Sequence, residues 1–351
     1  MSYHRVLCLL SVVLLLSLSH SSVQGEKEEP KEKPKFIEER LTNNPVIDSE
    51  PEFSPDMTKV VFISISNEEG RGNLHIMNAD GKMKTILHNV MGEVHSEPHF
   101  FPDGKKVLFR WARGDVRGYA TIVLETKERK DLPLIPGEMM GSAMAPDGSK
   151  FAYISRGDKQ KVMVFDFETE KFWEVKGCAG DCDMPAFSKD GKYIFYAEFD
   201  NDGTSICRAD VDGSNRTVLV KPDPEAEGCD ATYPRPIKDG RVFYLSDMRT
   251  GEFEVFSMDA DGKDKKVILE PKIPFLSFDV TQDGAKVVFL GNIGVKKWEL
   301  FLLDVKTGAV AQMTDTPYDK KIPEFSPDGK FVLYVAEVMA NPEIFKIKLA
   351  E

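Results

Sequence analysis

Between residues 36 and 351 short apolar runs recur after polar turns at a nearly constant interval. Seven β-rich runs, KVVFISI, KKVLFRW, KFAYIS, KYIFYAE, RVFYLS, KVVFLG and KFVLYVA, each follow an Asp-centred turn. The anchoring residues are Asp56, Asp103, Asp147, Asp190, Asp239, Asp283 and Asp328, spaced 47, 44, 43, 49, 44 and 45 residues apart. An interval in the 40s is what one β-propeller blade of four strands consumes. Six places after the Asp stands a ring: Phe62, Phe109, Tyr153, Tyr196, Phe289 and Tyr334, with Tyr244 five places on in the fifth repeat. Large rings at a fixed station are what blade-on-blade packing requires. The third strands alternate apolar and polar residues, as in Glu252-Phe-Glu-Val-Phe-Ser-Met258, the period of a half-buried strand. Tight turns such as Ala260-Asp-Gly262 follow, because Gly takes positive φ at little cost.

Two further regularities place the first strand and the chain ends. Proline stands five places before the Asp in five repeats, at Pro51, Pro98, Pro185, Pro234 and Pro323. It fits where no ladder hydrogen bond is needed, as on the innermost strand beside a channel. The seventh repeat ends at Glu343-Ile-Phe-Lys-Ile-Lys-Leu349 without a fourth strand, while Phe36–Leu41 is a stray strand candidate upstream. The expected fold is therefore all-β: a seven-bladed β-propeller of four-stranded antiparallel blades spanning 36–351, its last blade closed by the N-terminal strand.

The segments before residue 36 carry a different signal. Residues 1–25 have a weakly positive start at His4-Arg5, an apolar stretch Val6–Leu18 and small residues near Gly25, the layout of a signal peptide. The apolar stretch is shorter than the ~20 residues a spanning helix needs, so no stable membrane insertion is expected. Residues 26–35, EKEEPKEKPK, hold no apolar side chain and read as a disordered charged linker. The formal net charge is −12; Arg5 is the one charged residue before Glu26, so loss of the leader gives −13. An acidic chain argues against nucleic acid, whose binding rests on phosphate neutralisation by Lys and Arg. The expected location is secreted or periplasmic. In an exported chain the four cysteines after the leader, Cys178, Cys182, Cys207 and Cys229, suggest disulfides; Cys178–Cys182 and Cys207–Cys229 are favoured among three connectivities.

The phrase Ile322-Pro-Glu-Phe-Ser-Pro-Asp-Gly-Lys330, echoed by Ser49-Glu-Pro-Glu-Phe-Ser-Pro-Asp56, resembles the WD-like propeller repeat of the TolB family, a repeat also found in the propeller domains of prolyl oligopeptidases. The resemblance covers about residues 36–351 and implies the fold rather than an activity. TolB proteins have six blades and an N-terminal α/β domain, whereas this chain has seven repeats and a short polar tail. The peptidase relatives add a hydrolase domain with a G-x-S-x-G elbow, and that motif does not occur here.

Loops leading into the first strands should gather at one mouth of the channel. They offer Asp48, Glu50, His95, Glu97, Asp183, Asp230, Lys320 and Lys321 as candidate ligand-binding residues. Acids mixed with two lysines suit a peptide or small polar ligand, and the bland alternative is a solvated rim. Met91, His95, His99, Met139, Met140, Met144, Cys178, Cys182 and Met184 hold donors that suit copper, but methionines also fill gaps between blades. Glu198-x-Asp200-x-Asp202-Gly203 imitates the start of a calcium loop, yet Ala209 stands where the bidentate Glu belongs. Seven-bladed metal-dependent polysaccharide lyases are similar in blade count, but no His follows residue 99 to supply their late-chain histidine cluster. No cofactor and no catalytic set is expected. The functional expectation is an exported, monomeric, non-catalytic scaffold presenting a rim or channel mouth to a protein, peptide or glycan; the alternative is a carbohydrate- or peptide-acting lyase or hydrolase with its site at that mouth.

Overall fold

The computed structural model describes residues 36–66, 71–134, 138–223, 225–270, 275–292 and 298–349. The leader and charged linker anticipated over residues 1–35 lie outside them. The described residues form seven four-stranded antiparallel sheets, each in chain order from first to fourth strand except the last. The first strands of blades one to seven are Ile47–Phe53, Val94–Phe100, Glu138–Met144, Asp181–Phe187, Ala231–Pro236, Phe275–Val280 and Lys320–Phe325. The first strands of blades one to five, and those of blades six and seven, lie against their neighbours on the inner side of the ring. No described helix is long and apolar enough to cross a membrane.

Each Asp-centred turn is closed by the same hydrogen bond. The Oδ1 of all seven aspartates accepts the backbone N–H two residues on, at 2.9–3.2 Å. In four blades a Ser or Thr two residues earlier also donates to that oxygen, from Ser54, Ser188, Thr281 and Ser326. Such local bonds imitate a backbone turn and fix the chain's reversal into the second strand. They also hold the Asp56, Asp190 and Asp283 carboxyls below their ordinary pKa. Gly occupies the left-handed position after the Asp in six blades, and Met57 takes it in the first at φ 63°.

The core consists of seams. Seven apolar clusters each bridge two neighbouring blades, from the seam of blades one and two (Ile63, Ile76, Phe100, Phe109) round to that of blades seven and one (Leu333, Ile344, Phe53, Phe62). All seven recurrent rings fall in these seams, none more than 2 % exposed. Burying a ring of that size contributes on the order of 1.5–3 kcal/mol by area. Three of them stack on a ring of the third strand with centroids 5.3–5.5 Å apart: Tyr244 on Phe256, Phe289 on Phe301 and Tyr334 on Phe345.

The ring is closed by the chain's two ends. Ile37–Arg40 pairs antiparallel with Asn341–Lys348 as the outermost strand of blade seven, in register from Ile37–Lys348 to Arg40–Phe345. The four residues of this strand are themselves exposed, so apolar burial is not what fastens it. The fastening is polar and anchored inside. The buried Glu343 carboxylate accepts from the Thr42 hydroxyl at 2.5 Å, the Arg40 guanidinium at 3.0 Å and the Asn44 N–H at 3.1 Å. Thr42 in turn accepts the Ile344 N–H at 2.9 Å, and Leu41 is buried in the closing seam. Blade six has the same device: Thr314 donates to the buried Glu299 at 2.5 Å. The two lead-in segments Leu41-Thr-Asn-Asn-Pro45 and Met313-Thr-Asp-Thr-Pro317 are thus equivalent in structure as in sequence.

Glu343→Ala strands a buried hydroxyl and a backbone N–H and should cost on the order of 2–3 kcal/mol. Deleting residues 36–42 should lower the thermal midpoint further still. Melting curves of both variants check this, and an unchanged midpoint for the deletion contradicts the closure.

Candidate functional site

The channel wall is shaped by an irregularity repeated in every blade. Each first strand shifts register against its second strand, between Ser49 and Glu52, Ser96 and His99, Met140 and Ser142, Asp183 and Ala186, Thr232 and Arg235, Phe275 and Ser277, and Lys321 and Glu324. The five recurrent prolines sit inside these bulges, where no ladder bond is lost. The residue before each proline has positive φ: Glu50, Glu97, Met184, Tyr233 and Ile322, at 50–56°, with Gly141 the counterpart in blade three. The bulge breaks the two-residue alternation and re-aims the side chains on either side of it.

The consequence is a sorting of the predicted residues. The position eight before the Asp points into the seam, not the mouth. Asp48 is fully buried and paired with Lys84 at 3.1 Å, His95 is 1 % exposed and bonded to Glu93 at 3.2 Å, and Lys320 is 1 % exposed and paired with Glu299 at 2.7 Å. These three are seam residues rather than mouth residues. Asp230 is engaged on a loop, accepting from the Thr204 hydroxyl at 2.6 Å, and Lys321 is exposed and pairs with Glu337 within its own blade. Glu50, Glu97 and Asp183 stand at or beside the left-handed positions of the bulges. Asp183 accepts the Met184 N–H at 2.7 Å, and burial raises its pKa against the opposing charge of Arg156.

The thiols are sorted in the same way. Cys182 holds the seam position of blade four, with Cys178 beside it on the preceding loop. Cys207 lies near that pair but bonds the Glu198 carboxylate at 3.5 Å, and Cys229 sits elsewhere, its carbonyl accepting the Thr204 N–H. All four are thiols in the structure. Glu198 is turned to Arg216 and to the Ala179 and Gly180 N–H groups, so it does not join Asp200 and Asp202 in a calcium loop.

At the position four before the Asp, sequence reasoning singled out only His99, and that as a metal donor. There, Glu52, His99, Ala143, Ala186, Arg235, Asp279 and Glu324 form a ring around the lumen, one from each blade. Two acids of this ring also reach the next blade: Glu52 accepts the Phe100 N–H at 2.8 Å and Asp279 the Phe325 N–H at 2.8 Å. The signal was present in the repeated phrase, where a charged residue sits between a proline and an apolar residue inside a strand.

Blades one to three supply a continuous polar chain on this wall. His99 Nδ1 bonds Glu52 at 2.7 Å and its Nε2 bonds the Ser142 hydroxyl at 3.0 Å. Ser142 donates to Glu97 Oε2 at 3.2 Å, which also accepts from the Tyr119 hydroxyl at 3.0 Å, while Arg110 approaches Oε1 at 3.5 Å. Glu50 accepts the Glu97 N–H at 2.6 Å. The His99 side chain is 26 % exposed and that of Glu52 29 %. Burial alone would lower the His99 pKa, but the charge and hydrogen bond of Glu52, with Glu97 and Glu324 behind them, hold it up at about 9. A protonated ring donates from both nitrogens, which matches its two acceptors. Burial, then the Glu97 charge, pushes the Tyr119 phenol well above its usual range.

Glu324 behaves differently. Its side chain is exposed, yet desolvation by the surrounding first strands, then the charges of Asp279 and Glu52, raise its pKa to about 7 against Arg235 and His99. Among the described residues, two groups elsewhere bring metal-binding atoms together. In His88, Glu93 and His95 a cation is already supplied by Arg129, which donates to His88 at 2.9 Å and Glu93 at 2.6 Å. In Cys178, Cys182 and Glu198, Arg216 bonds the carboxylate at 2.6 Å.

With this geometry in hand, comparison with known proteins gives three kinds of likeness. A family model, the TolB beta propeller domain, matches residues 37–229. The uncharacterized peptidase YuxL of Bacillus subtilis (strain 168) is 27 % identical over 149 residues, covering 42 % of this chain and 21 % of that protein. The chain thus matches about a fifth of the length of that curated relative. Among solved structures, an oligogalacturonate lyase in complex with manganese aligns with a TM-score of 0.75 at 18 % identity, covering 91 % of this chain and 98 % of that one. TolB from Acinetobacter baumannii aligns with a TM-score of 0.50 at 17 % identity, covering 87 % and 79 %. At these identities the structural likenesses speak to fold.

The raised pKa of Glu324 carries a pH signature. A carboxyl whose folded pKa exceeds its unfolded value favours folding while protonated, a contribution complete below about 4.5 and lost as pH rises through about 7. Glu324→Gln should therefore match the wild type near pH 4 and exceed it at pH 8 by on the order of 1 kcal/mol, after discounting for solvent in the lumen. Denaturant melts at the two pH values check this; equal stability at pH 8 contradicts the crowding.

Proposed function

The chain belongs to the TolB beta propeller domain family, and from that footing we propose that it is an exported, non-catalytic binding scaffold. Its channel mouth receives a protein, peptide or glycan segment, in the periplasm or outside the cell, with the propeller acting as a monomer. The observation that carries this reading is the polar chain Glu52–His99–Ser142–Glu97, which gathers donors and acceptors from three blades on the channel side and is backed by the buried Tyr119 hydroxyl. Its two proton carriers are held in their protonated forms at neutral pH, His99 up to about 9 and Tyr119 beyond the usual phenol range. Groups so fixed orient a ligand by hydrogen bonding and are poorly matched to abstracting a proton. Beside them Tyr233, Met184 and the exposed Ile322 give the mouth an apolar side, a mixture suited to a polar segment with apolar parts.

One observation favours a second reading. Glu324, at about 7, has the proton affinity of a general acid or base, and structures of this fold include an oligogalacturonate lyase. On that reading the lumen acts on a carbohydrate or peptide. The purified protein, offered panels of oligosaccharides and of peptides, should retain one class without altering it. Glu97→Gln combined with His99→Gln should lower that affinity by about tenfold or more, the cost of one or two charged hydrogen bonds. Retention that is equal in this variant contradicts a lumen site. Product formation that disappears in Glu324→Gln replaces the scaffold with the enzyme.

A further inference from the structure

The cysteines of blade four carry an inference that does not depend on what the lumen binds. We propose that Cys178 and Cys182 are a reversible dithiol–disulfide pair, which ties the loop before blade four to its channel-lining strand and leaves Cys207 and Cys229 outside the bond.

Three observations select this pair. The first is position. Cys182 occupies the seam station that Asp48, His95 and Lys320 fill in other blades, each held there by a charged partner. In blade four the partner is another thiol. The sulfurs of Cys178 and Cys182 lie within 4.8 Å of each other and are hydrogen-bonded. The second is access. Cys182 is fully buried, whereas Cys178 is partly open on a loop flanked by Gly177, at φ 85°, and Gly180. The Ala179 and Gly180 N–H groups are bonded to Glu198, which holds the loop beside Cys182, so the remaining gap is closed by turning the Cys178 side chain. The third is the engagement of the other two sulfurs. Cys207 is buried, its thiol given to Glu198 and approached by Arg216 at 3.6 Å. Cys229 is placed by its carbonyl beside Thr204, three residues from Cys207 along an extended strand, about 10 Å away and beyond the reach of a disulfide.

The order of events follows from the surroundings. Hydrogen bonding with Cys182 first, and then with the Tyr196 hydroxyl, to which the Cys178 thiol donates at 3.5 Å, holds the Cys178 thiol below the ordinary range; the same bond to Cys178, with burial, pushes Cys182 far up. Cys178 is thus the attacking thiolate. Facing the pair are Tyr196 and Glu198 from the second strand of the blade, Cys207 from the third and Arg216 from the turn before the fourth. With a disulfide donor as oxidant, the Cys178 sulfur attacks one donor sulfur and releases the other as a thiolate. Cys182 then gives up its proton, attacks the Cys178 sulfur and expels the second donor thiolate. Two electrons and two protons leave the protein, and the donor disulfide becomes two thiols. The bond sits next to Asp183 and Met184, so it would fix that side of the mouth.

The test uses the full protein and oxidised glutathione. After equilibration, the sample is acid-quenched, denatured, alkylated with N-ethylmaleimide and digested with trypsin. Peptide 177–189 carries both thiols. It should be lighter by two hydrogens and take up no label, while the peptides holding Cys207 and Cys229 each take up one. Reduction before alkylation should restore two labels to peptide 177–189. Two labels without reduction overturn the pair, as does a bond from either thiol to Cys207. Stoichiometric zinc retained through desalting would also overturn it, by assigning the thiols to a metal.

Discussion

The seam between blades is the interaction on which the rest depends. A single four-stranded blade has two apolar faces and cannot bury either alone. Each of the seven clusters is shared by two sheets, so every blade is stable only because it has a neighbour on both sides. A row of such units would leave two bare faces. Closing the row into a ring removes them, and the seventh seam then has to be made by the two ends of the chain. The recurrent rings from Phe62 to Tyr334 supply the burial. The Thr42–Glu343–Arg40 contacts supply the geometry that lets an exposed terminal strand hold its register.

Once the ring is closed, the lumen is a consequence. Seven first strands are brought face to face, and the bulge in each decides which side chains enter the space between them. The left-handed residue and the residue two places later line the wall, while the position two before the left-handed residue is driven into the seam. That is why Glu52 and His99 meet Ser142 and Glu97 across three blades, and why the charges of Asp279, Glu324 and Glu52 reach one another. The raised pKa of Glu324 is the electrostatic result of crowding carboxylates around a narrow ring that holds fewer cations near it. The same geometry places Cys182 where the other blades use charged pairs.

The fold was legible because its determinants are local and repeated. An Asp-turn and a ring at a fixed offset survive translation from sequence to structure, and closure followed from comparing Phe36–Leu41 with an incomplete seventh repeat. The site was only partly legible, since a single extra residue in a strand reverses the side on which everything before it lies. Glu50 and Glu97 are the residues on which the bulge itself sits. Asp48, His95 and Lys320 were expected at the mouth because they stand where the chain leads into the first strands, whereas the bulge sends them inward. Glu52, Asp279 and Glu324 were overlooked because they sit beside apolar residues inside strands and look like blade interior, and His99 was weighed only as a copper donor. Proline at the same station was the available clue: it marked the bulge, and so the inversion.

The central claim is that the seven blades form one closed, cooperative ring. Native-state hydrogen exchange tests it most directly through the amides of Asn341–Lys348, which pair with the terminal strand, against those of Lys106–Arg113 and Tyr193–Phe199 in ordinary blades. A closed ring predicts protection of the same order in all three. Protection of Asn341–Lys348 lower by several orders of magnitude, with exchange independent of the other blades, would mean that the last seam opens by itself and that the lumen described here is not a fixed enclosure.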